Sequence, residues 1–481
     1  MKKSIKKNYI LNLIYQITLV IVPLIVTPYV SRILLPDGVG KYSFSFSLIT
    51  YFTLFATFGF ETYAQREIAK YQDDKVNQTK AFWEINICRL IPVFLSLAVH
   101  LALFLTNVYG EYSTLMLILS INIVAVALDV AFFFQGNEEF GKLVTRNVLL
   151  KILGTILIFV FVKEKSDLGI YTLINSLIIL FSNVSLWPAL KKKLTKVSFK
   201  ELKPLSHLKG SFSLLIPALA ISLYAVLDKT LIGVITGSDS QNGYYEQAEK
   251  IVKLSLTLIT CLSTVMIPRN SYEISQGNHE QVKINFYKGC NFIWILGLPM
   301  VLGIILVADN LVPWFLGKDF TNSTLLLKVF APLVLIIGFS NVLGRQYMIP
   351  YKKENQYTLS IVVGSITNII LNLILIYHLN AVGAAIATIV AELGVTITMY
   401  LFLRKELSLK EIFKTALKPL LASLIMFITV YPITLHLSSS ILNSILIIGL
   451  GCIVYGLAIL ILREKMTINI LSKIKNKFIK K

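Results

Sequence analysis

The sequence predicts an all-α polytopic membrane protein with about fourteen transmembrane helices. Three observations carry that expectation. Of the 481 residues, 55% are hydrophobic and 15% charged, against roughly 25% charged in soluble domains. Apolar runs of about twenty residues recur from one end to the other, each able to cross a hydrocarbon core about 30 Å thick at about 1.5 Å per residue. Lys and Arg are concentrated in alternate connections between those runs.

The runs lie near residues 9–31, 42–61, 82–106, 113–134, 145–162, 169–190, 211–235, 244–266, 286–307, 321–344, 357–378, 382–403, 415–436 and 440–462. Both termini then fall on one side, with segments 62–81, 135–146, 191–210, 267–288, 345–356 and 404–418. That side holds 35 of the 46 Lys and Arg, the opposite loops hold five, and six lie inside runs. The positive-inside rule makes the rich side cytoplasmic. The net charge of +20 therefore reports topology, not a nucleic-acid partner, and "KKKLTKVSFKELKPLSHLKG" reads as a stop-transfer, lipid-facing loop. The first run is too long for a signal-peptide core and lacks an A-x-A-like site, so it is expected to stay attached. Cys88, Cys261, Cys290 and Cys452 all fall within runs. No disulfide, metal site or cofactor is expected.

No soluble domain is visible, so organisation is sought in repeats. "LLPDGVGKYSFS" resembles "GSDSQNGYYEQA", with Gly40, Tyr42 and Arg66 landing on Gly243, Tyr245 and Arg269 at an offset of 203. In the second run Ser43, Ser47, Thr50, Thr57 and Glu61 share one helix face. The same offset places Glu246, Lys250, Lys253, Thr260 and Thr264 on the corresponding face. Gly169 matches Gly383 farther on. Both copies start inside and contain six runs, so they read as parallel repeats with a cleft between them. The expected organisation is a six-helix lobe at 1–190, a basic cytoplasmic linker at 191–210, a second six-helix lobe at 211–403, and two additional helices with a basic tail at 404–481.

These residues carry a resemblance to a known family. The Gly-x-Tyr turns, "LDKTLIG", "FQGNEEF" and "NIILNLILIYHLNAVGAAIATIVAE" together resemble the polysaccharide-exporter branch of the multidrug, oligosaccharidyl-lipid and polysaccharide (MOP) transporter superfamily. The resemblance covers essentially the whole chain. It implies a Wzx-type flippase in a bacterial cytoplasmic membrane, moving undecaprenyl-diphosphate-linked repeat units for capsular, exo- or O-antigen-type polysaccharide. It also implies two six-helix lobes around a cationic cavity that opens alternately to either side, working among membrane lipids and other polysaccharide-assembly proteins.

A charge in hydrocarbon needs a partner or a use. Asp228 and Lys229 lie near the outer end of the seventh run, and adjacent helical residues do not face each other. Glu246, Glu249, Lys250 and Lys253 form a stripe on the next run, and Lys328 is at similar depth in the tenth. Salt bridges tying helices together are one reading. The other counts Lys229, Lys250, Lys253 and Lys328 as a positive surplus over Asp228 and Glu249, suited to a diphosphate. In that reading Lys229 contacts the diphosphate and Asp228 orients a neighbouring lysine. Arg32 at the outer end of the first run either joins this set or anchors the interface.

Arg66 and Arg269 occupy matched inner mouths, with Arg89 near the inner end of the third run. They either grip an entering diphosphate or follow the positive-inside bias. Glu392 and Asp129 are acids at depth, open to a proton-coupling role or a structural one. His100, His378 and His436 read as interfacial. Pro23, Pro28 and Pro217 each remove a helical hydrogen bond, giving bending points for alternating access or ordinary kinked packing. A multidrug antiporter of the same superfamily, a flippase for the lipid-linked peptidoglycan precursor and a repeat-unit polymerase are the rivals. Short outer loops argue against an enzyme, and the absence of a Walker motif argues against direct ATP use.

Overall fold

In the computed structural model the described backbone covers residues 5–469 and 472. Side chains are described from residue 18 onward, apart from 216–225, 258 and 261–265. Pro217 and Cys261 are therefore outside the described side chains. All regular elements among the described residues are helices. Ten helical stretches are long and apolar enough to cross a membrane, and two of them, 18–70 and 354–403, run to 53 and 50 residues. At about 1.5 Å per residue each of these is long enough to cross twice. Two further long helices, Leu208–Thr236 and Asp239–Ser275, lie where the sequence predicts the seventh and eighth crossings.

The chain forms two compact units, 1–243 and 244–481. The first contains α1 (Ile5–Thr57), α2 (Phe60–Lys70), α3 (Lys75–Leu105), α4 (Ser113–Ala127), α5 (Ala131–Gly136), α6 (Phe140–Phe161), α7 (Leu168–Val184), α8 (Trp187–Lys191) and α9 (Leu208–Thr236). The first two runs are joined within α1 by one non-helical residue, Leu35, at φ 59° and ψ 174°. Pro36 follows it, and a proline drives the preceding residue out of the helical region. Pro23 and Pro28 lie within continuous helix. A second bend separates α1 from α2 at Phe58 and Gly59, both at positive φ. Gly59 is required there, because a Cβ would sit 2.4 Å from the Ser211 carbonyl oxygen. The fourth run is split: Asp129 Oδ1 accepts a 2.8 Å hydrogen bond from the Ala131 amide. That side-chain cap competes with helix continuation and starts α5.

Two apolar clusters hold this unit. Phe60, Ile68, Phe82, Phe132, Phe133 and Phe134 pack at one end, while Ile49, Val93, Met116, Leu119 and Ile123 pack at the other. His100 belongs with the second cluster and is fully buried. It meets the Tyr109 hydroxyl at 3.0 Å and the Met116 carbonyl at 3.2 Å, which supply its polar partners. α9 is held on α1 where a Cβ on Gly233 would meet the Phe44 ring at 2.3 Å.

The second unit takes most of α10 (Asp239–Ser275), then α11 (His279–Phe315), α12 (Ser323–Phe330), α13 (Leu333–Asn341), a π-helix (Val342–Met348), α14 (Glu354–Leu403), α15 (Leu409–Lys414), α16 (Leu417–Leu435) and α17 (Ile441–Ile461). α14 joins the eleventh and twelfth runs through Asn380, at φ 52°. In the π-helix the Gln346 carbonyl accepts from Asn270 Nδ2 at 2.7 Å. The last two helices pack on α11 through Leu306, Val307, Met426, Val430 and Ile447. Asn310 pins their connection, donating to the Ser438 carbonyl at 2.6 Å and accepting from Ser444 Oγ at 2.6 Å.

Candidate functional site

The repeated turns meet within the first unit. A Cβ on Gly40 would lie 1.7 Å from the Asp239 carbonyl oxygen, and one on Gly243 would lie 2.1 Å from that of Pro36. The contact is reciprocal because Pro36–Gly40 and Asp239–Gly243 have equal spacing. Only glycine permits so close an approach of two backbones. Polar groups close the clasp. Ser240 Oγ donates to Asp37, Lys165 Nζ is 3.4 Å from Asp37, and the Tyr112 hydroxyl donates to Asp239 at 2.9 Å. Lys41 pairs with Glu111 and lies 3.8 Å from Asp239. Sequence comparison of the repeats identified these glycines but not their mutual contact.

Asp228 is 6% exposed and Lys229 is part-buried on α9. The Lys229 carbonyl accepts from Asn242 Nδ2 at 2.9 Å. The adjacent Thr230 hydroxyl meets Ser47 Oγ and the Tyr51 hydroxyl, each at 2.8 Å. The uncharged stripe of α1 is thus directed partly at α9. Thr50 and Thr57 instead donate to carbonyls of their own helix.

In the second unit the lysines are paired. Lys250 Nζ is 3.4 Å from Glu246 and Lys253 Nζ is 2.7 Å from Glu249, both one turn apart on α10. Lys328 Nζ lies 2.6 Å from Asp309. Asp309 was missed because it falls just beyond the ninth run and was treated as loop. With it, the three lysines of this unit stand against Glu246, Glu249 and Asp309. The three paired lysine side chains retain 32–57% exposure. Arg32 is exposed on α1.

Arg66 and Arg269 are exposed on α2 and α10. Arg89 is buried on α3, donating to Asn86 Oδ1 at 2.7 Å and to the Ala127 carbonyl at 3.0 Å. Its guanidinium carbon lies 5.5 Å from the Phe132 ring centroid. It borders a cavity of about 130 Å³ shared with Glu61, Asn122, Asp129, Gln135 and Asn183. The structure thus brings together Arg89 and Asp129, which the sequence placed separately, and adds Glu61. Glu392 lies part-buried within α14. No cluster of His, Cys, Asp and Glu suited to a metal ion occurs among the described residues.

The linker of the first unit is anchored to this end. Glu139, the sixth residue of "FQGNEEF", accepts from Lys193 and lies 3.1 Å from Lys142. Burial alone would raise its carboxyl pKa, but the two ammonium groups hold it below the ordinary value. His207 Nε2 meets Glu84 at 2.9 Å, and Glu84 also accepts from the Lys203 amide at 2.8 Å.

Comparison with known proteins follows the same outline. A protein of Escherichia coli K12 named "Putative O-antigen transporter" is 25% identical over 413 residues, covering 84% of this chain and 98% of its own length. The fold resembles a structure titled "Lipid II flippase MurJ, inward closed conformation" with TM-score 0.72 and 16% identity, covering 94% of this chain and 97% of that one. An inward-facing multidrug resistance transporter of the MOP superfamily matches with TM-score 0.57 and 13% identity, covering 77% and 92%. The polysaccharide biosynthesis protein family matches residues 5–273, more than half of the sequence, and the chain belongs to that family.

Proposed function

We propose that this protein is a flippase carrying undecaprenyl-diphosphate-linked oligosaccharide repeat units from the inner to the outer leaflet of a bacterial cytoplasmic membrane, with both termini cytoplasmic. The observation that carries the reading is similarity across 98% of the length of a relative named as an O-antigen transporter. Lys229, Lys250, Lys253 and Lys328 contact the diphosphate in a cationic cavity, aided by Arg32, while Asp228 orients a lysine. Arg66, Arg269 and Arg89 serve the cytoplasmic mouth. Glu392 and Asp129 are candidates for coupling, and α1 and α9 bend at Pro23, Pro28 and Pro217 during alternating access.

Lysine suits a carrier that has to release its cargo, since a flexible ammonium imposes less fixed geometry than a bidentate guanidinium. Outward movement of about two negative charges gains about 4 to 5 kcal/mol at 100 mV. Membrane potential can therefore bias the direction without nucleotide hydrolysis. The lipid-linked peptidoglycan precursor is the second reading, supported by the fold match to a lipid II flippase.

The test is flipping of a fluorescent undecaprenyl-diphosphate oligosaccharide in proteoliposomes under an imposed potential. The peptidoglycan precursor and a cationic drug serve as competing cargoes. Transport of the oligosaccharide by the native protein, lost in Lys250→Ala, supports the proposal. Transport of the precursor alone moves the assignment to the second reading, and drug transport alone moves it to an antiporter.

A further inference from the structure

The cavity at Arg89 has a composition unlike a simple ion site. Two carboxylates, Glu61 and Asp129, share it with a guanidinium and with the amides of Asn122, Gln135 and Asn183. Neither carboxylate pairs with Arg89 at salt-bridge distance. Arg89 and Asn122 are 4% and 5% exposed, and Arg89 Nε and Asn122 Oδ1 have no hydrogen-bond partner. Leaving a buried donor and a buried acceptor both unpaired is costly. Glu61, by contrast, is exposed at the edge of the cavity.

The charges select among ligand classes. Arg89 repels a metal cation, and the two carboxylates repel an oxoanion. A neutral polyhydroxyl compound suits both, because each hydroxyl donates to a carboxylate or amide oxygen and accepts from a guanidinium or amide N–H. The cavity holds about 130 Å³ and is open, with the exposed Glu61 in its lining, so a sugar ring would sit part-way inside it. We propose that it is a subsite for one neutral sugar residue of the lipid-linked oligosaccharide. The inference rests on the flippase reading and deepens it by placing a carbohydrate contact within the first unit, apart from the lysines assigned to the diphosphate.

The test is saturation-transfer NMR on the native protein in nanodiscs, using a panel of free hexoses, 6-deoxyhexoses, N-acetylhexosamines and hexuronic acids. Glu61→Ala removes an exposed side chain, and Asp129→Asn preserves the cap on α5, so neither requires the unit to be rebuilt; melting curves check this. At least one neutral sugar is expected to bind, with affinity falling about tenfold in either variant, as loss of one charged hydrogen bond implies. No binding by the panel, or binding untouched in both variants, overturns the proposal. A cavity that only takes up protons would show a pH response lost in both variants without sugar binding, and that also overturns it. Because the readout needs no transport, failure here leaves the flipping assay to judge the flippase reading independently.

Discussion

In Gly40→Ala the added methyl group has to clear the Asp239 carbonyl oxygen, which its ideal position approaches to 1.7 Å. Carbon and carbonyl oxygen settle no closer than about 3.3 Å, so the two segments have to part by about 1.6 Å. Both contact surfaces are backbone, and no side-chain rotation relieves the overlap. Overpacking of this kind costs about 1–3 kcal/mol. If about 2 kcal/mol falls on the clasped state alone, the share of molecules with the turns parted rises about 30-fold. Ser47 lies on α1 beyond this turn, buried against Thr230, and provides a reporter. In a background without the native cysteines, Ser47→Cys should react with a membrane-impermeant maleimide about 30-fold faster when Gly40→Ala is added. An unchanged reaction rate with an unchanged melting temperature would refute the role given to the glycine contact.

Gly243→Ala meets Pro36 in the reciprocal contact and should increase labelling in the same sense; protection instead would separate the two turns functionally. Lys250→Ala should lower oligosaccharide flipping at least tenfold, as expected for one hydrogen bond to a charged group, while Lys283→Ala, paired with the exposed Glu280, leaves it unchanged. Asn310→Ala leaves the Ser438 carbonyl with Asn443 Nδ2 alone and takes the acceptor from the Ser444 O–H, a buried donor whose loss of partner costs about 1–3 kcal/mol. Its melting temperature should fall, whereas equal stability would mean that the α16–α17 connection is held mainly by its apolar contacts. Glu464 is buried, which alone would raise its pKa, yet the Met466 and Thr467 amides and the Asn291 and Thr467 side chains hold it below the usual glutamate value. It therefore contributes full stability above about pH 4.3 and loses that contribution as pH falls through its lower folded value. Glu464→Gln should flatten that acid limb of a melting-temperature profile, and an unaltered limb would show that the cap does not titrate there.

The regular part of the fold was legible because hydrocarbon-length runs and basic connections are one-dimensional signals. Residues that interrupt regularity were less legible. Leu35 and Asn380 are single non-helical residues that kink the chain between two pairs of runs, a sharpness of turn that hydropathy does not register. Asp129 looked like an isolated acid in a run, yet its carboxylate begins a new helix. The Glu–Lys spacing on α10 was visible in the sequence, but Asp309 lies in a different helix from Lys328 and only packing joins them. Glu61 was read as the end of a polar stripe. Its association with Arg89 and Asp129 required three elements to meet, a relation no local pattern contains.

The pairing of the lysines alters how a diphosphate site has to work. A lysine at the centre of a membrane costs about 2.5–3.5 kcal/mol by insertion measurements, so a row of unpaired lysines would be an unfavourable resting state. Glu246, Glu249 and Asp309 provide resting partners. Under the proposed function an arriving diphosphate would exchange one anion for another, and binding strength would be the difference between two ion pairs, not the whole of either. Such exchange keeps affinity moderate, as release into the other leaflet demands. Replacing Glu249 by Gln should therefore tighten binding of the diphosphate lipid while slowing its release, visible as a lower half-saturating concentration with a lower maximal flipping rate. Weaker binding in Glu249→Gln would show instead that the carboxylate positions Lys253 for the diphosphate, and the exchange argument would fail.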